Sequence, residues 1–237
     1  MSKIGIVTAL RSEARFLSRD NIQPLTPVEV NEHILLVLSG MGPTNVLSAI
    51  DTLIAQNVDA LISFGTAGAL HEEAKSGDLI IPENIITHDS QSQNISSAWR
   101  DSVLGNLEGS PLKIFRNDIY TSESVISAVT EKHESNKITS AIAVDMESAL
   151  IVNTAKNLNL SCLVLRVVVD EVDTVIPEKV LECTDIYGDV AYTRLLMSIF
   201  GQPGLILDLL KLGSAFKRAS ETMQWLGKHP EQLILPN

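Results

Sequence analysis

Five apolar runs, each ending abruptly in small or charged residues, constrain this chain more than any other feature. They are Lys3–Ala9, Ile34–Leu38, Ala60–Phe64, Ala141–Val144 and Leu163–Val169. Their length suits strands, and their nearly unbroken apolarity suits strands covered on both faces. Helical segments follow several of them: Arg11–Arg19, Thr44–Gln56 (entered through Pro43, which fits a first helical turn) and Asp145–Leu158. Strands alternating with helices predict an α/β fold, with a central mixed, largely parallel sheet flanked by helices on both faces. The 237 residues suit one such domain, 1–237, and a hydrophobic share of 45% can fill its core.

The other segments are less regular. Asp78–His88 reads as one extended run, and the polar stretch Ser90–Pro111 as a loop region. Glu123–His133 reads as helical, as do Asp185–Phe200 and Leu205–Leu226 around Gly201-Gln202-Pro203-Gly204. In the last of these, Leu205, Leu209, Leu212, Phe216 and Met223 fall at helical spacing. That stripe is either a core-packing face or an apolar wall for a lipid-like ligand or surface.

Charge and composition exclude several classes. A net charge of −11 repels phosphate backbones, and Lys217-Arg218 is the only adjacent basic pair, so no nucleic-acid partner is expected. It also argues against electrostatic attachment to anionic lipid. Two cysteines make neither a disulfide framework nor a zinc site, and Cys162 reads as a core thiol. Met1-Ser2-Lys3-Ile4 leads directly into a strand without a signal-peptide layout, and no apolar stretch has bilayer-spanning length; a reduced, cytoplasmic protein is expected. His33, His71, His133 and His229 show no metal-ligand spacing, and His88 suits a substrate contact or the surface equally. Ser39–Thr44 lacks the third glycine of a dinucleotide fingerprint and the Gly-Lys-Ser/Thr of a phosphate-binding loop. No Gly-x-Ser-x-Gly elbow occurs.

In α/β sheets ligands gather outside the carboxyl ends of strands. Those places hold the chain's unusual residues: Arg11, Glu13 and Arg15; Ser39-Gly40-Met41-Gly42; Gly65-Thr66-Ala67-Gly68; Asp145-Met146-Glu147; and Asp170. Glu147 at the start of a helix is favoured in its ionised form by the dipole, and an ionised carboxylate is a pure acceptor suited to a sugar diol. Asp170 follows a strand that is apolar except for Arg166; withdrawn from water, its carboxyl would hold a proton near neutrality, as a general acid must. Equally, Asp145 could cap its helix, and Asp170, Glu171 and Asp173 could form a solvated acidic loop.

Taken in order, these segments resemble the purine nucleoside phosphorylases and methylthioadenosine/S-adenosylhomocysteine nucleosidases. Ile4–Glu13 is similar to the nucleosidase opening, Ser39-Gly40-Met41-Gly42-Pro43-Thr44-Asn45 to its Ser-Gly-Ile-Gly-Lys-x-Asn turn, and Phe64–Gly68 to its Gly-Ser/Thr-Ala-Gly turn. Gly77-Asp78-Leu79 begins the next shared strand. Val144–Ala149 resembles Val-Glu-Met-Glu-x-Ala, and Arg166–Asp170 resembles Arg-x-x-Ser-Asp.

The resemblance implies cleavage of a purine–ribose bond through an oxocarbenium-like transition state, with no metal or organic cofactor. Asp170 would protonate the leaving purine at N7. Met146 and Glu147, with Asp145 beside them, would hold the ribose. Thr66 and Gly68, with Ser39 and Gly42 of the earlier turn, would line the substrate pocket, and Glu13 would position or activate a water. It also implies a homodimer. Three departures stand out: Ser63 replaces an arginine common in phosphorylases, Val169 replaces the serine before the acid, and Asp145 replaces a glutamate. The first weakens the case for phosphate, leaving Arg11 or Arg15 as candidates to bind it. Pro203–Gly213 and Val175-Ile176-Pro177 resemble the hopanoid-associated phosphorylases, which implies a lipid-linked nucleoside such as adenosylhopane.

Overall fold

The computed structural model describes residues 3–176, 182–189 and 205–234. The first half of the chain supplies β1 (Ile4–Thr8), α1 (Arg11–Leu17), β2 (Val28–Asn31), β3 (Ile34–Leu38), α2 (Pro43–Ile54), β4 (Ala60–Ala69), β5 (Leu79–Ile80), β6 (Asn84–Ile86) and β7 (Ser92–Asn94). The second half supplies α3 (Ser97–Asn106), β8 (Ile114–Phe115), β9 (Ile119–Thr121), α4 (Val129–Thr139), β10 (Ala143–Asp145), α5 (Ser148–Asn157), β11 (Ser161–Asp170) and α6 (Leu205–Lys228).

The strands join in one mixed sheet. β3, β1, β4 and β11 run parallel through its centre, while β2, β5, β7 and β10 each make an antiparallel pair. Side-chain alternation sorts the strands onto two faces. Ile4, Ile6, Ile62, Leu163, Leu165 and Val167 pack with α1, α3 and α6. Val7, Leu61, Cys162, Val164 and Val168 pack with α2 and α5. The expected helix–sheet–helix layering is therefore present. Burial pushes the Cys162 thiol up to about 12, so it is an inert core group.

Several segments differ from the sequence reading. The Ser90–Pro111 stretch contains β7 and α3 rather than a loop; Trp99, Val103, Leu104 and Leu107 form a buried stripe diluted by polar neighbours. Pro82, lacking an N–H for pairing, lies where the Asp78–His88 run breaks into β5 and β6. The helix expected over Glu123–His133 begins six residues later, at Val129. The helix expected from Asp145 begins at Ser148.

The stripe on α6 is also shifted. Its core face is Ala215, Ala219, Met223 and Leu226, while Phe216 is exposed. Near its end a Cβ at Gly227 would run into the Phe16 carbonyl, so α6 and α1 approach at backbone distance. The side chains of Leu205 and Leu209 lie outside the described residues, as do residues 190–200 of the helix expected over Asp185–Phe200 and Pro177. Residues 185–189 form a turn. Among the described residues no helix is long and apolar enough to cross a membrane.

One feature of the sheet makes room for a site. Along the same edge, β4 pairs with β1 through Ser63 and with β10 from Gly68. Between these contacts the edge is open. On its other edge β4 pairs with β11 up to Gly68–Asp170, where the register slips and Val169 is the extra residue. Such a bulge re-aims the side chains beside it.

Candidate active site

A cavity of about 250 Å³ sits at the carboxyl ends of β1, β3, β4 and β11. Glu13, Ser39, Thr66, Gly68, Asp145, Met146, Glu147 and Asp170 all reach its wall, together with Arg166. Eight of the eleven residues singled out from the sequence are thus brought together. Gly42 does not line it; with φ +99° it starts α2. Arg11 and Arg15 do not line it either. Arg11 binds Asp189 at 3.0 Å and the Ile22 carbonyl at 2.7 Å, and Arg15 is exposed. Neither meets the cavity, and the Arg11 charge is paired with Asp189.

Glu13 closes the open edge of β4. One carboxylate oxygen accepts the N–H and the hydroxyl of Thr66, both at 2.8 Å. The other accepts the Thr8 hydroxyl at 2.8 Å and the Leu10 N–H at 3.1 Å. An ionised carboxylate has about four lone-pair sites, and all are used. Gly65 makes this possible, because a Cβ there would lie 3.0 Å from both Glu13 and Arg166.

Asp145, at the cavity wall, also has a structural task. Its Oδ1 accepts from Thr121 at 2.7 Å; its Oδ2 accepts from the Ser148 N–H at 3.1 Å, the Ser148 hydroxyl and Arg166 Nε at 2.7 Å. It both satisfies a first-turn N–H of α5 and neutralises Arg166. Arg166 also donates to Ser63 at 2.8 Å and lies 4.0 Å from Glu147. Burial alone would favour loss of the guanidinium proton, but Asp145, Glu147 and Glu13 hold its pKa above the ordinary value. Arg166 was visible in the sequence as the charged exception in an apolar strand and as the first residue of the Arg-x-x-Ser-Asp resemblance, with no role assigned to it.

Glu147 precedes α5 as its N-cap residue, and its side chain makes no capping hydrogen bond to the helix. Its expected ionisation by the helix dipole is outweighed. Burial first, then the Asp145 charge, pushes its pKa up to about 7, with Arg166 pulling the other way. At neutrality it is poised between its two forms, so a cation beside it would draw out the ionised one.

Asp170 is 3% exposed. A Cβ at Gly68 would lie 3.1 Å from each of its oxygens, so the glycine lets the carboxyl lie across β4. Its partner was missed from the sequence: Lys132, fully buried on α4, donates to Asp170 Oδ2 at 2.5 Å. Burial raises the Asp170 pKa, Lys132 lowers it, and the balance is upward. The sequence offered no signal for Lys132, because α4 is polar all round and its lysine reads as solvated. Among the described residues no group of three or more His, Cys, Asp or Glu is placed to hold a metal ion.

The geometry can be set beside known proteins. Residues 3–191 match the phosphorylase superfamily, and the chain belongs to that superfamily of enzymes. It is 29% identical to the 5′-methylthioadenosine/S-adenosylhomocysteine nucleosidase of Buchnera aphidicola over 202 residues, 72% of this chain and 79% of the relative. The Streptococcus pneumoniae nucleosidase of the same name, solved with the transition-state inhibitor MT-ImmA, is 27% identical. It superposes with a TM-score of 0.62 over 72% of this chain and 86% of its own. The futalosine hydrolase of Helicobacter pylori, 16% identical, shares the fold over 98% of this chain and 97% of its own, with a TM-score of 0.69.

Proposed function

We propose that the protein hydrolyses the N-glycosidic bond of a 5′-modified adenosine, releasing adenine. The observation that carries this reading is Asp170: a buried carboxyl with a raised pKa, placed by a bulge at the wall of a nucleoside-sized cavity that also contains Glu13 and Glu147. As the C–N bond breaks, its electron pair goes to the base, and Asp170 gives its proton to the purine nitrogen. Positive charge develops on the sugar, and Glu147 becomes the ionised acceptor for the ribose hydroxyls. Met146, partly exposed at the cavity wall, packs against the ring.

Water is the nucleophile we assign. Arg166 is the only cation on the cavity wall among the described residues, and Asp145 already pairs with it, so little positive charge is left for phosphate. Water oxygen adds to the sugar carbon and its proton passes to Glu13. For this, Glu13 must release one of its four hydrogen bonds, and the rotatable Thr66 hydroxyl is the donor that can yield.

A compact apolar 5′ group fits best, because a cavity of about 250 Å³ lies just below the usual range of about 300–1,000 Å³ for drug-sized ligands. Relatives named for methylthioadenosine support the same choice. A lipid 5′ group such as that of adenosylhopane rests on the resemblance of 203–213, whose side chains through residue 211 lie outside the described residues. The test is adenine release from 5′-methylthioadenosine and from a lipid-linked adenosine, each with and without phosphate. Phosphate-independent release from the first is expected. A strict phosphate requirement would overturn the choice of water, and release from the lipid nucleoside alone would overturn the compact 5′ group.

A further inference from the structure

We propose that Lys132 is the positioning residue for the acid: its ammonium fixes one oxygen of Asp170 and stabilises the carboxylate that forms when the proton leaves. This rests on Asp170 acting as the acid in the reaction proposed above.

Lys132 is the only buried residue of α4, and it is fully buried. A lysine brought out of water needs a partner for each donor and for its charge. It has them: Asp170 Oδ2 at 2.5 Å, the Glu171 carbonyl at 2.9 Å and the Thr174 carbonyl at 2.9 Å. An ammonium has three hydrogens, so this set matches the charged form, with none left over. The same three bonds tie α4 to the end of β11 and to the turn after it. Lys132 also distinguishes the two oxygens of the acid. Oδ2 is held by the ammonium, which leaves Oδ1 to carry the proton toward the base.

The electrostatic consequence follows from position. Proton transfer from Oδ1 to the purine nitrogen turns Asp170 from neutral to anionic in a buried place, where an unpaired carboxylate is costly. Lys132 lies beside the developing charge, already oriented, as preorganised stabilisation requires. Burial alone would make the acid hold its proton too tightly; the ammonium opposes that.

Other charged groups around the pair are engaged elsewhere. The Glu171 carboxylate pairs with Lys75 at 3.2 Å and Arg218 at 3.3 Å. Asp173 after β11, and Glu131 and His133 on α4, are exposed. Across the cavity, Glu13 is bound by Thr66, Thr8 and Leu10, and Arg166 lies with Asp145 and Glu147. Burial and the Asp145 charge push the Glu147 carboxyl up to about 7, so an activity profile alone would mix two groups.

The experiment therefore reads the acid directly. Difference infrared spectroscopy follows the protonated-carboxyl stretch across pH, with Asp170→Asn identifying the band. Two neutral variants are compared with the wild type: Lys132→Met, and Lys132→Gln, which keeps donors for the two carbonyls. Both are expected to move the Asp170 titration to higher pH by at least one unit, while Lys132→Arg, which keeps the charge, stays near the wild type. In either neutral variant kcat is expected to fall by about tenfold to a hundredfold, with KM within about twofold, as for partial loss of general-acid catalysis. An unmoved Asp170 band in a folded neutral variant overturns the proposal. Absence of adenine release by the wild type from every nucleoside would instead overturn the hydrolase reading, and the titration would still report on the pair.

Discussion

Replacing Glu147 by glutamine should make the protein more stable, and only on the alkaline side. The carboxyl has an ordinary pKa of 4.5, is pushed to about 7 in the folded chain, and its side chain is 16% exposed. Between those values the unfolded chain gives up the proton while the folded chain keeps it. The folded state then binds more protons, so stability falls as pH rises through that window. Below about pH 4.5 the contribution is fully present; above about 7 it is lost. A span of about 2.5 units at about 1.4 kcal/mol each is a loss of about 3 kcal/mol for wild-type protein between pH 4 and pH 8.5. Glu147→Gln keeps the shape and removes the titration, so it should not suffer that loss. Urea unfolding of both proteins at several pH values reads the difference between them, in which all other titrating groups largely cancel. The variant's advantage should grow by about 3 kcal/mol from pH 4.5 to pH 8.5. A difference that stays flat with pH would refute the argument that burial and the Asp145 charge dominate Arg166 at this position.

Two further substitutions separate positioning from stability. Gly68→Ala places a Cβ 3.1 Å from both oxygens of Asp170, so the carboxyl must shift by a few tenths of an ångström. Turnover should fall by about tenfold to a hundredfold with the thermal midpoint nearly unchanged, measured by adenine release and calorimetry. Arg166→Met removes the partner of buried Asp145 and should destabilise the fold by about 3–5 kcal/mol in urea unfolding, because a carboxylate is left uncompensated.

Much of the frame was legible because a central strand advertises itself. Ile4–Thr8, Ile34–Leu38 and the β11 run are covered on both faces, so nearly every residue in them is apolar. Their carboxyl ends therefore marked the site, and eight of the chosen residues reach it. What failed was information held in partners rather than in local pattern. Asp145 and Asp170 look alike in sequence. Both reach the cavity wall, but Asp145 is held on both oxygens by Arg166, Thr121 and Ser148, whereas Asp170 is held on one oxygen by Lys132. Arg11 and Arg15 follow β1 as Glu13 does, yet the helix turns them away from the cavity and Glu13 toward it. Lys132 belongs to a helix without an apolar face, and only the tertiary fold reveals that its single buried side chain meets the acid.

The most direct test of the central claim is Asp170→Asn, assayed for adenine release from 5′-methylthioadenosine alongside binding of the same nucleoside. If Asp170 supplies the proton, the rate should fall by about a hundredfold to ten-thousandfold while the dissociation constant changes only a few-fold. Adenine release at the wild-type rate would contradict the account, because no general acid would then be needed at that position.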